Sequence, residues 1–581
     1  MHQRLKSTIR GNSPLFWLLL ALAVSVVASF CAGFELHMKV PVLPILLWLL
    51  ALLLILFLSN RHPTSSRRQR LQTLFWFTLF ALAAFYWRIF DVAHIPQSLS
   101  GDEGSAGLFA LSFLHGEIDN PFIPGWYGFP SLFGLLQSGS ILLFGQTIFA
   151  LRVFSALAGA LTAGAVYWLG RELFSHRVGL LAAIFMTGFA FAIHFSRIAL
   201  NNVWDGLFFC LTLTLLWKGW KRENSYLWAL AGLCLGLSLY FYETSKLLLL
   251  LSFLWGVILM LSNPQKLKRN RSGVLFLLLA FLTAFFPLLR YYATHLDTFW
   301  VHGNRSIFTG NWMQIVMSQT GQSEAWIVIR QALIGLGAFL WHPLDYFYKP
   351  GTAMLLPAAA VLFAVGLLFC LRMFRDPRAH LVLLWVLLFS LLGGFTENAP
   401  SAQRYVAAAP VCALGVALGI NWLIHEMARL KFLPTLALQG TAILLALILC
   451  WVDIHFYFQV YTPQSDFGGI GAKIETDLAE NLNKIPGPKN VYYWGYPLIS
   501  YGSLQVLPFL APDAVGTDMD QFALPQATPP VPNGPIKVFV FLNSDADLST
   551  IEQQYPGGTL LRQQDHLGRF LFWQYTVIDP H

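Results

Sequence analysis

The stretch Ser98-Leu99-Ser100-Gly101-Asp102-Glu103-Gly104 sets two adjacent carboxylates about ten residues beyond an apolar run at 72–90. A run of that length suits a helix crossing a bilayer, which needs roughly 20 residues. An acidic pair just past a membrane span carries two readings. It is a helix start, where acids complement the dipole of the helix that follows over Ala106–Leu114. It is also a place for a general base at a membrane surface. Which reading applies depends on the rest of the chain.

As a soluble protein, 581 residues would make about four domains at roughly 150 residues each. Composition overrides that prior. Hydrophobic residues make up 56% and charged residues 11%, against about 25% charged in ordinary soluble domains. Mean hydropathy is +0.58. Disordered, collagen-like and disulfide-stapled chains are excluded, and a polytopic membrane protein leads. Apolar runs predict thirteen spans near 14–34, 41–60, 72–90, 150–170, 178–196, 203–219, 225–242, 245–262, 273–291, 352–372, 380–396, 404–425 and 432–453. The first run lacks an A-x-A-like cleavage site and reads as a retained span. All six cysteines lie within apolar runs, so neither a disulfide framework nor a CxxC site is available.

Charge gives the orientation. With a cytoplasmic N-terminus, the inner loops hold twenty-one of the 37 Lys and Arg residues, while the stretch from Asp91 to Leu151 holds none. The net charge of +8 therefore reads as topology and not as nucleic-acid binding. Ile327–Tyr346 has nearly enough apolar residues for a span. As a span it would put the basic loops at 266–271 and 372–378 on opposite sides, so it reads as an amphipathic helix on the outer surface. The expected organisation is an N-terminal transmembrane hairpin at 1–70, a membrane module at 71–455 with outer loops 91–149 and 292–351, and an extracytoplasmic α/β domain at 456–581. In that last region Asn490–Trp494, Lys537–Leu542, Thr559–Arg562 and Arg569–Val577 read as strands, Asp547–Tyr555 as a helix, and Pro525–Pro535 as a dividing linker.

Three further outer segments carry polar chemistry. His194–Asp205 holds Arg197, Asn201, Asn202 and Asp205 in a loop more polar than a turn requires. Ionisable groups near membrane depth point to function, although a capped interfacial helix start explains them too. In Tyr240–Lys246, Glu243 and Lys246 either serve a ligand or pair with each other at i,i+3. Thr396–Tyr405 ends on Arg404. Arg88, Arg152, Arg197, Lys246 and Arg404 all sit at outer span ends, against the positive-inside trend. Each needs an anion, from a protein carboxylate or a lipid phosphate. Asn304-Arg305-Ser306 is a sequon that arises readily by chance. His37, His94 and His115 lack metal-ligand spacing, and no P-loop or dinucleotide fingerprint appears.

An outer Asp-Glu after a span, a Pro-initiated segment at Phe129-Pro130-Ser131-Leu132, the run Ala150-Leu151-Arg152-Val153-Phe154-Ser155-Ala156-Leu157-Ala158-Gly159 and the following Tyr167-Trp168-Leu169-Gly170-Arg171-Glu172-Leu173-Phe174 together resemble the GT-C glycosyltransferases. Within them the likeness is to the family 39 type, the dolichyl-phosphate-mannose–protein mannosyltransferases and aminoarabinose lipid A transferases, over about residues 72–455. The resemblance implies a polytopic GT-C membrane fold and transfer of a monosaccharide from a polyprenyl-phosphate donor to a hydroxyl acceptor (protein, lipid or envelope glycan) on the outer face, with inversion. Asp102 would be the base, with Glu103 supporting it or positioning a donor hydroxyl. Arg152, Arg197, Arg404 and Lys246 would hold the donor phosphate, and Asn201, Asn202, Asp205 and Glu243 would contact donor or acceptor. This chain departs from the family pattern in its second outer loop, where Asn201-Asn202 and Asp205 stand in the place of an assisting acid. It also adds the N-terminal hairpin and the tail.

No acidic triad is evident, so no cofactor or catalytic metal is expected; oligosaccharyltransferase-type GT-C relatives do use a divalent ion, which keeps that question open. The expected partners are the lipid-linked donor, an envelope acceptor and the bilayer, with no nucleic acid. The expected location is a bacterial plasma membrane, with the C-terminal domain extracytoplasmic. Two other classes compete. A flippase of lipid-linked sugars predicts charges along the bundle interior and internal repeats, and neither is seen. A non-enzymatic scaffold working through its tail predicts a dispensable Asp102.

Overall fold

The computed structural model describes residues 13–32, 42–60, 66–118, 120–301, 305–430, 434–495, 498–501, 503–519, 536–542 and 545–578. The linker at Pro525–Pro535, Asn304 of the sequon and His37 lie outside the described residues. The chain divides into two compact units. The first comprises Met1–Phe90, Phe113–Leu136 and Val153–Pro463; the second comprises Asp91–Ser112, Gln137–Arg152 and Gln464–His581. The expected C-terminal domain at 456–581 overlaps the second unit, which takes it in from Gln464 on. Two pieces of the first outer loop fold with it.

Every expected span falls on a helix. The helices start with recurring local devices. Ser13, Ser66, Asn263 and Asp376 each accept a hydrogen bond from a first-turn backbone N–H, and Pro14, Pro264 and Pro377 occupy first-turn positions that need no donor. By length and hydropathy alone, eight helices among the described residues suffice to cross a membrane, or ten counting two bent pairs. The figure of thirteen is thus not reached on that criterion. Ser225–Ser238 and Pro357–Arg372, for example, are too short.

The span expected at 178–196 is broken into His176–Gly188 and Ala190–Ser196, bent by 59°. The backbone N–H freed at Ala190 donates to Asp453 Oδ1 at 3.0 Å, which satisfies the break. The segment read as a surface helix forms Glu324–Leu340, bent by 104° from Trp312–Thr320. One face packs closely, since a Cβ on Gly335 would meet Ser390 O at 1.9 Å. The other face exposes Trp326, Ile329 and Leu333.

The second unit is built on a five-stranded mixed sheet: β1 Lys489–Trp494, β2 Ala514–Asp518, β3 Ile536–Phe541, β4 Thr559–Gln564 and β5 Phe570–Ile578, in the order β2-β1-β3-β5-β4. β1 pairs in parallel with β2 and β3; β5 runs antiparallel to β3 and β4. Both faces are covered, so β3 reads as a continuous apolar run. Val491, Val538 and Val540 pack under Ile474, Leu478 and Leu482 of helix Gly469–Asn483, while Tyr492, Phe539 and Phe541 pack on Leu548 and Ile551 of helix Asp545–Gln554. β2 and helix Gly469–Asn483 carried no strand or helix expectation from the sequence.

The helix bearing the acidic pair, Gly101–Leu114, joins this unit through a stripe of glycines at i, i+3 and i+6. A Cβ on Gly104 would lie 2.6 Å from Gln505 O, and one on Gly107 2.6 Å from the Phe509 ring. At Gly104 only glycine lets the 505–506 backbone come this close. Beside it, Glu475 Oε2 accepts from Leu507 N at 3.0 Å, while Oε1 is buried without a partner. Burial pushes this carboxyl up to about 7. Its folded value lies above its unfolded one, so its contribution is fully present below the usual glutamate range and is lost as pH rises through about 7. Glu475→Gln is expected to flatten the decline in Tm between pH 5 and 8. An unchanged slope in detergent melts of the full chain would assign the decline to other groups.

Candidate functional site

The acidic pair has two different environments. Ser100 Oγ accepts from Glu103 N at 3.3 Å, and Glu103 Oε2 accepts from Ser100 N at 2.9 Å and Ser100 Oγ at 3.1 Å. This reciprocal arrangement is a capping box. Glu103 is also ion-paired with Arg152, through Nε to Oε1 at 2.9 Å and Nη2 to Oε2 at 3.2 Å, and both side chains are fully buried. The remaining Arg152 donors reach the carbonyls of Val92 (3.1 Å), Pro96 (2.9 Å) and Ser98 (2.6 Å). Every Arg152 N–H is engaged. That corrects its expected role, because no donor is left for a donor phosphate. The pair instead ties the 92–98 loop to the helix start. Asp102, one residue earlier in the first turn, is exposed.

The other expected residues lie in the first unit. Asn201 Nδ2 donates to Phe241 O at 2.7 Å and Asn202 Nδ2 to Gln403 O at 3.1 Å. Asp205 Oδ2 accepts from the Thr244 hydroxyl. Among the described residues Asn202 Oδ1, Asp205 Oδ1 and Gln403 Oε1 are buried acceptors without a hydrogen-bond partner, which leaves capacity for hydroxyl donors. Glu243 and Lys246 pair with each other at 2.5 Å, and Lys246 Nζ also donates to Phe299 O at 2.5 Å. The local i,i+3 pairing therefore holds, and Lys246 is spent on the protein. Arg197 is fully buried, with Nη1 donating to Trp87 O at 2.9 Å and Arg88 O at 3.2 Å beneath the Phe458 ring. Arg88, also buried, reaches Ser196 Oγ and the carbonyls of Ala84, Met186 and Thr187.

Arg404 differs from these. It is half-buried, and its one side-chain bond runs from Nη1 to Glu397 O at 3.1 Å. It lies within electrostatic range of Arg305, Tyr242 and Tyr346. The exposed Arg305 hydrogen-bonds the Tyr127 hydroxyl and stacks 5.2 Å over that ring. Among the described residues neither arginine has a carboxylate partner. Two adjacent guanidiniums without acids favour an anion between or beside them. The loops that carry them are laced together, with Glu397 N donating to Arg305 O at 3.1 Å and Ala402 N to Asp345 O at 2.9 Å. Tyr127, Tyr346 and Asn398 here hold positive φ angles of 56°, 72° and 58°. Such conformations cost energy for non-glycine residues and collect at functional sites. Sequence reading missed Arg305, whose only signal was its place on a loop read as outer, against the charge rule.

No group of three or more His, Cys, Asp or Glu residues suited to a metal occurs among the described residues.

The helical fold with its small sheet unit resembles the GT-C fold. Residues 129–291 match the family model of dolichyl-phosphate-mannose-protein mannosyltransferase. Among solved structures the chain is similar to ArnT from Cupriavidus metallidurans bound to undecaprenyl phosphate, at 14% identity and a TM-score of 0.53, covering 86% of this chain and 97% of that one. It also aligns with the Archaeoglobus fulgidus oligosaccharyltransferase in the apo form at 13% identity and a TM-score of 0.47, over 78% of this chain and 65% of that one. No curated protein sequence matches.

Proposed function

We propose that the protein is a polyprenyl-phosphate-dependent membrane glycosyltransferase that moves one sugar to a hydroxyl acceptor on the outer face. The observation that carries the reading is the acid-free pair Arg305 and Arg404, set among tyrosines in strained loops, in a fold whose similar structure binds a polyprenyl phosphate. In this reading the acceptor oxygen attacks the anomeric carbon, the carbon–oxygen bond to phosphate breaks, and the proton passes to Asp102. The two arginines stabilise charge growing on the departing phosphate. The unpartnered acceptors of Asn202, Asp205 and Gln403 suit sugar hydroxyls. Glu103 positions Asp102 through the capping box and does not itself take the proton.

Reconstituted protein supplied with radiolabelled polyprenyl-phosphate hexoses and an envelope extract tests this. Label is expected in acceptor. Label that crosses the bilayer without transfer would support the flippase reading instead. Arg305→Gln and Arg404→Gln are each expected to lower kcat/KM for the donor by about ten- to a hundredfold, the loss of one charge-assisted contact worth about 1.5–3 kcal/mol. Unchanged donor kinetics in both variants would remove the phosphate from this cluster.

A further inference from the structure

At the other end of the helical unit, three loops that are far apart in sequence meet. Helix Val203–Arg222 begins near Asp205 and ends at Lys221 and Arg222; helix Pro377–Gly394 begins at Arg378 and ends just before the turn to Arg404. Eighteen helical residues separate the ends by roughly 27 Å. Two adjoining clefts lie here, an open one of about 960 Å³ and a smaller, more enclosed one of about 180 Å³, with Lys221 and Arg378 lining both. Together they are lined by Arg171, Lys221, Arg222, Arg372, Arg375 and Arg378, against only Glu172 and Asp376.

The two acids are already committed. Asp376 accepts from Arg378 Nε at 2.9 Å and again from Nη2, and Glu172 sits 3.4 Å from Lys218 and 4.0 Å from Arg222. Among the described residues the exposed side chains of Lys221, Arg372 and Arg375 have no anionic partner. A topology signal needs basic loops, but it does not need them to converge on one cleft with their charges unanswered. Apolar surface adjoins the cations. Leu368, Leu371 and Phe374 are 56%, 54% and 62% exposed, beside Arg372 and Arg375. A free phosphate has no use for that stripe, whereas a lipid needs both a charged and an apolar surface.

The geometry points to a binding site for the phosphodiester headgroup of an anionic glycerophospholipid in the leaflet opposite the Arg305–Arg404 cluster. Its acyl chains lie along Leu368, Leu371 and Phe374. Arg372 and Arg375 hold the phosphate as forks, and Lys221 closes the cleft from the neighbouring loop.

The test uses the full chain in detergent. Phosphatidylglycerol, phosphatidylcholine and inorganic phosphate are titrated separately, with binding read by native mass spectrometry and Tm. Wild type is expected to bind phosphatidylglycerol at least tenfold more tightly than phosphatidylcholine, and 0.5 M salt should erase the preference. Arg372→Gln/Arg375→Gln is expected to lose at least fivefold of it. Because those arginines also guide insertion, Lys221→Gln serves as the second variant, since Lys218 and Arg222 keep its loop basic; a loss of at least twofold is expected there. Equal binding of the two lipids, an unchanged preference in both variants, or an equal Tm gain from inorganic phosphate would overturn the proposal. Sugar transfer is measured in parallel with Asp102→Asn. That variant should keep its lipid preference, so failure of the lipid site and failure of the transferase reading are distinguishable.

Discussion

Asp102→Asn is expected to lower sugar transfer by about 10²- to 10⁴-fold, the usual worth of a positioned general base, with the protein still folded. The fold should tolerate the change because Asp102 is exposed and the capping box is made by Ser100 and Glu103. Asparagine is also accepted at helix starts, so the loss of charge near the dipole costs only about 0.3–1 kcal/mol. Transfer rates and Tm measured on the same preparation separate the two effects. A variant that transfers sugar at the wild-type rate would reduce Asp102 to a helix-start acid. A variant that loses both activity and Tm would contradict the description of the helix start.

Arg152→Met is expected to act on stability. It leaves the Glu103 carboxylate buried without its cation and the carbonyls of Val92, Pro96 and Ser98 without their donor. Breaking a buried pair from one side costs about 3–5 kcal/mol. A Tm lowered by several degrees and poor recovery of folded protein are the expected readings. The double variant Arg152→Met/Glu103→Gln should recover part of the loss, because the stranded charge is removed while Gln keeps an acceptor for Ser100 N. If the double variant is no better than the single one, the loss lies in the loop carbonyls and not in the charge. If Arg152→Met melts with wild type, the ion pair contributes nothing to stability.

The membrane part was legible because hydrophobicity and charge are read over whole windows. Runs of apolar residues located all the helices expected as spans, and Pro and Ser/Asn/Asp marked their starts. The break at Phe189 was not legible, because it depends on Asp453, 263 positions beyond Ala190 in sequence, meeting the freed Ala190 amide. At the acidic pair, type and place were visible, but the difference between Asp102 and Glu103 was not. One is exposed and the other buried because Arg152, 49 positions on, captures only the second. Arg404 stood out as an outer cation, yet its neighbour Arg305 is brought to it by loop pairing that leaves no local pattern. β2 escaped notice for a similar reason: Ala514–Asp518 is short and polar, and is a strand only because β1 lies beside it.

The glycine stripe on Gly101–Leu114 bears on where this chain can be cut and rejoined. The helix that bears Asp102 is seated on residues 504–509, with the Gln505 backbone against Gly104 and the Phe509 ring against Gly107 leaving no room for a side chain at either glycine. A chimera that exchanges the tail at a breakpoint near 456 would give that helix a foreign seat, and a relative with an alanine in place of Gly104 or Gly107 would clash with it. The transplantable cassette is discontinuous. It consists of 91–112, 137–152 and everything after 464, moved as one.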